Sequence, residues 1–432
     1  MATPSLSKQL KDKLIQQALQ RKLTATGHDS NAQSQQDWCR FDQYPGYKQI
    51  QIIHQGGGQL GINNPFFRVH DHIAGATSQI NGRNYINYAS YNYLELAGDA
   101  RVSASAKAAI DHYGTSVSAS RLVSGERPIH RQLETALADA YGVDDAVVMV
   151  SGHATNVTTI GYLFGPNDLI LHDEFIHNSS WAGAQLSGAK RLSFPHNNHQ
   201  ALDRLLTGQR QHYQRVLIVI EGLYSMDGDI PDLPSFIAIK EKHHAFLMVD
   251  EAHSLGVLGG MGLGIRDHFG IDGKSVDIWM GTLSKSLASC GGFIAGESAL
   301  IEHLKFLAPG FLYSVGMPPQ VAAPALSALA IIRSEPDRVR TLQARSRYFF
   351  QQARAAGIDT GHSQGCAIIP AMTGSSAKAA QLAQTLFELG INVLPILYPA
   401  VPEKSARLRF FISCGHTEEQ IDQTILALHE AM

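Results

Sequence analysis

Two strand-like runs near the middle of the chain end in residues that could hold and activate an aldehyde cofactor. In AFLMVDEAHSLG (residues 245–256) an apolar stretch stops at Asp250 and His253. In VDIWMGTLSKSLASCGG (residues 276–292) another stops at Thr282, Ser284 and Lys285. A lysine that follows small hydroxyl residues at a strand end can condense with an aldehyde to a Schiff base. A carboxylate at the end of a neighbouring strand can pair with a pyridinium nitrogen and keep it protonated, so that the ring draws electrons from a carbanion. Together these functions point to pyridoxal phosphate. The competing readings are a lysine that caps a helix or pairs with an acid, and an aspartate that caps a helix N-terminus.

Other residues extend the pattern. SGHATNV (151–157) follows a strand-like run and opens a helix, so the backbone N–H groups of Gly152 and His153 would meet an anion at a helix N-terminus. His177, in HDEFIHNSS, lies just beyond another strand end, where an imidazole could lie flat on a cofactor ring. The pairs His196 with His199 and His243 with His244 lack further metal ligands and read as solvated or structural. DEAH alone resembles the metal-binding box of a helicase, which needs an upstream phosphate loop. The single GKS, Gly273-Lys274-Ser275, lies downstream of DEAH and lacks the preceding glycine, which excludes a nucleotide-driven motor.

These residues must be positioned by a sizeable scaffold. The chain has 432 residues and a net charge of -3, enough for a large α/β unit with a smaller companion and without a nucleic-acid footprint. Cys39, Cys290, Cys366 and Cys414 are scattered, with no CxxC pair, which fits free thiols in a reducing compartment. No apolar run approaches the roughly 20 residues of a membrane span. A cytoplasmic protein is expected.

Three zones follow from the patterning. Residues 1–64 are polar and read as an extension or linker. Leu6, Leu10, Leu14, Ile15, Leu19 and Leu23 suggest one amphipathic helix there, and QGGGQLG (55–61) reads as flexible linker. Residues 65–95 form the N-terminal segment of the enzyme proper, and residues 96–330 a large domain. Seven apolar runs there (146–151, 168–173, 191–196, 215–222, AFLMVDEA, DIWMGTLS and 291–296) alternate with helical stretches. That alternation implies a mostly parallel seven-stranded sheet covered on both faces. Ligands of such sheets bind beyond the strand carboxyl ends, where the polar residues collect here. Residues 331–432 mix helices such as SAKAAQLAQTLFELG with short strands in INVLPIL and ARLRFFIS, a small C-terminal α+β domain.

With these residues in hand, the chain resembles the α-oxoamine synthase family of pyridoxal phosphate enzymes, within the aminotransferase class I/II fold. The resemblance runs from about Asn64 to the C-terminus through INYASYNYLELAG, SRLVSGERPIHRQLE, SGHATN, EGLYSMDGDIPDL, VDEAHSLG, GTLSKS, LYSVGMPP and ARLRF. It implies a fold type I, aspartate aminotransferase-like large domain. It also implies roles: Lys285 as the lysine that carries the cofactor, Asp250 as the pyridinium partner, and His177 stacked on the ring. Ser225 and His253 would reach the phenolic oxygen, with Thr282, Gly152 and His153 at the phosphate. Ser314 resembles a position that reaches the phosphate from the opposite subunit, which implies a homodimer with shared sites. Arg409 resembles the arginine that holds the amino-acid carboxylate, and Asn92 would lie near the substrate.

The implied reaction is a decarboxylative Claisen condensation of an amino acid with an acyl thioester, carried by CoA or by an acyl carrier protein. VDEAHSLG and GTLSKS are most similar to serine palmitoyltransferase-like members and to synthase domains embedded in polyketide assembly lines. An aminotransferase or a retro-aldol lyase of the same fold is the competing activity. A non-catalytic subunit is opposed by the intact Lys285, Asp250 and His177.

Overall fold

The computed structural model describes residues 39–59 and 62–432. Two compact units divide at Asn64 and Pro65. In the first, a helix spans Pro45–Gln59 after a short turn at Phe41–Gln43. The expected flexible GGG linker is therefore helical instead. Three glycines cost a helix interior about 1 kcal/mol each relative to alanine, yet the last turns are retained, closed by the Ile62 N–H on Gly57 O at 2.9 Å. The proposed leucine stripe of residues 6–23 lies outside the described residues.

The second unit opens with a hairpin, β1 (Thr77–Ile80) and β2 (Arg83–Asn87). Its two-residue turn, Asn81-Gly82, has both residues at positive φ, 51° and 74°, the backbone twist that closes a tight hairpin. The main sheet follows: β3 (Asp145–Met149), β4 (Leu169–Asp173), β5 (Lys190–Phe194), β6 (Val216–Glu221), β7 (Phe246–Asp250), β8 (Ile278–Thr282) and β9 (Gly292–Gly296). All seven expected strands enter this one sheet, in the order β3-β9-β8-β7-β6-β4-β5. Strand β9 runs antiparallel to both its neighbours, and the other pairings are parallel.

Alternation along the strands explains why the runs are apolar throughout. Val148, Leu171, Ile218, Val249 and Trp279 enter one core, under helices Pro128–Tyr141 and Pro319–Ser334. Val147, Ile170, Leu217, Met248 and Ile278 enter the opposite core, with helices Gly152–Leu163, Asn178–Leu186 and Ser298–Leu307. Both faces are covered, so neither can be polar.

The C-terminal part has its own core around Phe349, Leu386, Leu408 and Phe410. There β10 (Ile368–Met372), β12 (Leu394–Ile396) and β13 (Arg407–Phe411) form an antiparallel sheet, and β11 (Ile391–Asn392) pairs in parallel with β2. Tyr88 belongs to this core and Tyr93 to the large one, so the intervening segment carries Tyr91 and Asn92 from one core to the other. Among the described residues no helix is long and apolar enough to cross a membrane.

Candidate active site

Strands β3, β4, β6, β7 and β8 point the same way, so their carboxyl ends share one edge of the sheet. That edge holds a cavity of about 250 Å³ whose walls include Gly152, His153, His177, Asp250, His253 and Lys285. A second cavity of about 440 Å³ is lined by Tyr91, Asn92, Ser284, Ser289 and Lys285. Lys285 thus borders both.

Asp250 ends β7 and is buried. Its Oδ1 accepts the Ala252 N–H at 3.0 Å, and its Oδ2 accepts from Asn156 Nδ2 at 2.8 Å. These two donors fix the direction in which the carboxylate is aimed. The adjacent Glu221 ends β6 and pairs with Asp250 across the strands. Burial and the Asp250 charge push its carboxyl well above the usual range; Oε2 accepts the Ser225 N–H at 3.2 Å, and Oε1 is buried without a partner. Burial lowers Lys285 to about 8, against the opposing pull of Asp250 and Glu221. An amine in that range is partly unprotonated near neutral pH. The Lys285 ammonium lies 5.6 Å from the centre of the Tyr91 ring.

The two histidines are held differently. His253 is buried, and desolvation with the nearby Lys285 charge keeps it far below its ordinary value; its Nδ1 is 2.8 Å from Tyr93 Oη. His177 caps the helix Asn178–Leu186, and burial lowers it despite the Asp250 charge. Glu251, between Asp250 and His253, is a buttress: it accepts the Ile265 N–H and the Ser254 hydroxyl, and it faces Gly264, where φ is +83° and a Cβ would strike the carboxylate.

The anion end is built from glycine and a helix N-terminus. Ser151 caps helix Gly152–Leu163 by accepting from the Ala154 N–H at 3.3 Å, leaving the Gly152 and His153 amides at the open end. A Cβ on Gly152 would lie 2.7 Å from Thr282 Oγ1, and one on Gly292 would lie 2.7 Å from Gly152 Cα. Thr282 Oγ1 bonds Ser284 Oγ at 2.8 Å and donates to Gly291 O at 3.0 Å. This cup of small residues fits a phosphate on amide donors. The buried carboxylate, the buried amine and the cup together fit pyridoxal phosphate.

Arg407 and Arg409 alternate along β13, and both reach the loop after β6. Arg407 is spent on Asp227 at 2.7 Å. Arg409 donates through Nη1 to Ser225 O at 2.9 Å, lies against the Phe411 ring, and keeps a buried Nε without a partner. Asn92 accepts the Ala97 N–H at 3.1 Å through Oδ1, and its Nδ2 is likewise unsatisfied. Ser225 is buried, its backbone donating to Glu221 and accepting from Arg409. Ser314 stands apart: its hydroxyl donates to Gly310 O at 2.6 Å in a crevice it shares with Arg121 and Met317. Asn156, Ser179 and Glu221 are among the cavity residues to which sequence reasoning gave no role. The signal was available, since Glu221 ends an apolar run just as Asp250 does. His196 is structural, held between Asp173 and Asp229 at 2.9 and 2.7 Å.

Comparison with known proteins places these features in a family. The model of "Aminotransferase class I and II" matches residues 83–428. An 8-amino-7-oxononanoate synthase of Fervidobacterium nodosum is 42% identical over 351 residues, 81% of this chain and 88% of that protein. A Sphingomonas wittichii serine palmitoyltransferase superposes with a TM-score of 0.85 at 31% identity, covering 90% of this chain and 97% of that one. A structure described as SPT with PLP internal aldimine has the same TM-score at 29% identity, covering 89% and 97%. With the Lys285–Asp250 pair in its sheet-edge cavity, the chain belongs to the aminotransferase class I and II family, as one of its pyridoxal phosphate-dependent α-oxoamine synthases.

Proposed function

We propose that this chain joins an amino acid to an acyl thioester with loss of carbon dioxide and of the thiol, giving an α-amino ketone. The observation that carries the reading is Lys285 bordering two cavities at once. One holds the phosphate cup and Asp250; the other offers Asn92 and small side chains such as Ala74, Ala89 and Ala288 to an acyl chain.

Pyridoxal phosphate, when bound, supplies a conjugated electron sink for the amino acid's α-carbon. The Gly152 and His153 amides and Thr282 would hold its phosphate, Asp250 its pyridinium, and Ser225 and His253 its phenolic oxygen. Arg409, with its unpartnered Nε, would grip the substrate carboxylate. Arg121 is less suited, being tied to Glu126 and Glu134. Lys285, lowered to about 8, takes the α-proton. The α-carbon then bonds the acyl carbon as the C–S bond breaks, the carboxylate leaves as carbon dioxide, and a proton returns to the α-carbon.

Several finer readings go with this. Ser314 stands away from the Lys285 cavities and is flanked by exposed Tyr313 and Val315, which supports a homodimer in which Ser314 serves the other subunit. The acyl donor is read as a carrier-protein thioester, of the kind used in polyketide assembly, on the strength of SGHATNVTTIGYLFGP and the residues ahead of 83 that the family match leaves out. Free, widely spaced thiols support a cytoplasmic setting. The test is a screen of amino acids with thioesters on the holoenzyme, products being identified by mass. An α-amino ketone dependent on both substrates supports the reading; turnover of the amino acid alone opposes it.

A further inference from the structure

Asn156 is buried in the helix Gly152–Leu163, and its side-chain amide commits both of its N–H bonds. Nδ2 donates to Asp250 Oδ2 at 2.8 Å and to Ser179 Oγ at 2.9 Å. The Asp250 carboxylate sets that orientation, because the reversed amide would place Oδ1 against it. Ser179 Oγ accepts from Asn156, so its own proton is directed onward, to His177 Nδ1 at 2.7 Å. The Ser179 backbone N–H donates to the same nitrogen at 3.2 Å. A ring nitrogen that accepts from two donors cannot also carry a proton, which leaves the proton of a neutral imidazole on Nε2.

We propose that Asn156 and Ser179 are positioning residues that lock His177 as its uncharged Nε2–H tautomer, making it a hydrogen-bond donor in the cavity and not a general base. The proposal rests on reading this cavity as the reaction site. Five charged or titratable groups face the ring: Asp250 from β7, His253 just after it, Lys285 after β8, His153 at the neighbouring helix N-terminus, and Arg409 from β13. Only Asp250 favours an imidazolium. Burial opposes it more strongly, and Lys285, His153 and Arg409 oppose it too. A donor of fixed direction suits a carboxylate or thioester oxygen that gains charge during reaction. The relay also ties Asp250 to the ring through the Asn156 amide and the Ser179 hydroxyl.

The test is nitrogen NMR of the holoenzyme with isotope-labelled histidine and no substrate, His177 being identified by the signal lost in His177→Gln. At neutral pH the wild type should show Nε2 protonated and Nδ1 unprotonated, with ionisation below the ordinary histidine range. Ser179→Ala removes one donor from Nδ1 and should move that ionisation upward. A proton on Nδ1, or an imidazolium at neutral pH in the wild type, would overturn the proposal. So would an ionisation that Ser179→Ala leaves in place. Because no substrate is present, either result is independent of whether the condensation reading holds.

Discussion

Glu221 and Asp250 are direct partners across the parallel pair β6 and β7, so two carboxyl groups end side by side at one cavity. Their surroundings set them apart. Asp250 accepts hydrogen bonds from Ala252 and Asn156, whereas Glu221 accepts one, from Ser225, and is otherwise buried. Burial and the Asp250 charge push Glu221 well above the usual carboxylate range, so the electron-sink role falls to Asp250. Glu221→Gln, which keeps a neutral side chain of the same shape, should retain cofactor and lose less than about tenfold in turnover. Asp250→Asn should lose roughly a thousandfold, about 4 kcal/mol in barrier. Steady-state rates of both variants decide it; equal losses would contradict the division.

Lys285 should be the attachment point. Borohydride treatment of the holoenzyme should fix the cofactor to the peptide containing Lys285, as read by peptide mass. Lys285→Ala should lose turnover while the fold is retained by circular dichroism. Labelling of another lysine would remove Lys285 from its role.

Arg409 is distinguished from Arg407 by its unspent Nε. Arg409→Lys loses the planar two-pronged grip, so the amino-acid KM should rise at least about tenfold with little change in the thioester KM. Unchanged values for both would assign the carboxylate elsewhere.

His196 gives a stability signature separate from catalysis. Asp173 and Asp229 raise it to about 10 against burial, from an ordinary value near 6.5. Because the folded value is the higher one, the stabilisation is fully present below about 6.5 and is lost as pH rises through about 10. The urea midpoint of the wild type should fall between pH 7 and 10 more than that of His196→Gln. Parallel curves would mean that His196 is uncharged in the folded protein.

Much of this architecture was legible because a sheet covered on both faces demands unbroken apolar strands. The runs ending at Asp250 and Thr282 therefore announced both the strands and the edge where polar residues gather. What remained hidden depends on register and depth. Nothing along the sequence says that Glu221 lies opposite Asp250, or that Asn156, on the first turns of its helix, points at a carboxylate 94 positions away. The resemblance singled out Arg409, but nothing along the sequence says that Asp227 occupies Arg407 beside it. The helix through Gly56–Gly58 defied local propensity, which is a weak guide where a single turn is at stake.

The donor is separable from the chemistry. The kcat/KM for one acyl group should be higher on a cognate carrier protein than on CoA or a short pantetheine thioester, and should fall more steeply with salt, since carrier proteins dock through surface charge. Equal or better use of CoA would overturn the carrier-protein reading and leave the condensation intact.

The most direct test of the central claim follows one carbon. The holoenzyme is given an amino acid labelled with carbon-13 in its carboxyl group together with an acyl thioester, and the label is traced. The account predicts labelled carbon dioxide, one free thiol for each turnover, and an unlabelled α-amino ketone that keeps the amino nitrogen. A labelled keto acid, with the nitrogen transferred and the thioester intact, would contradict it.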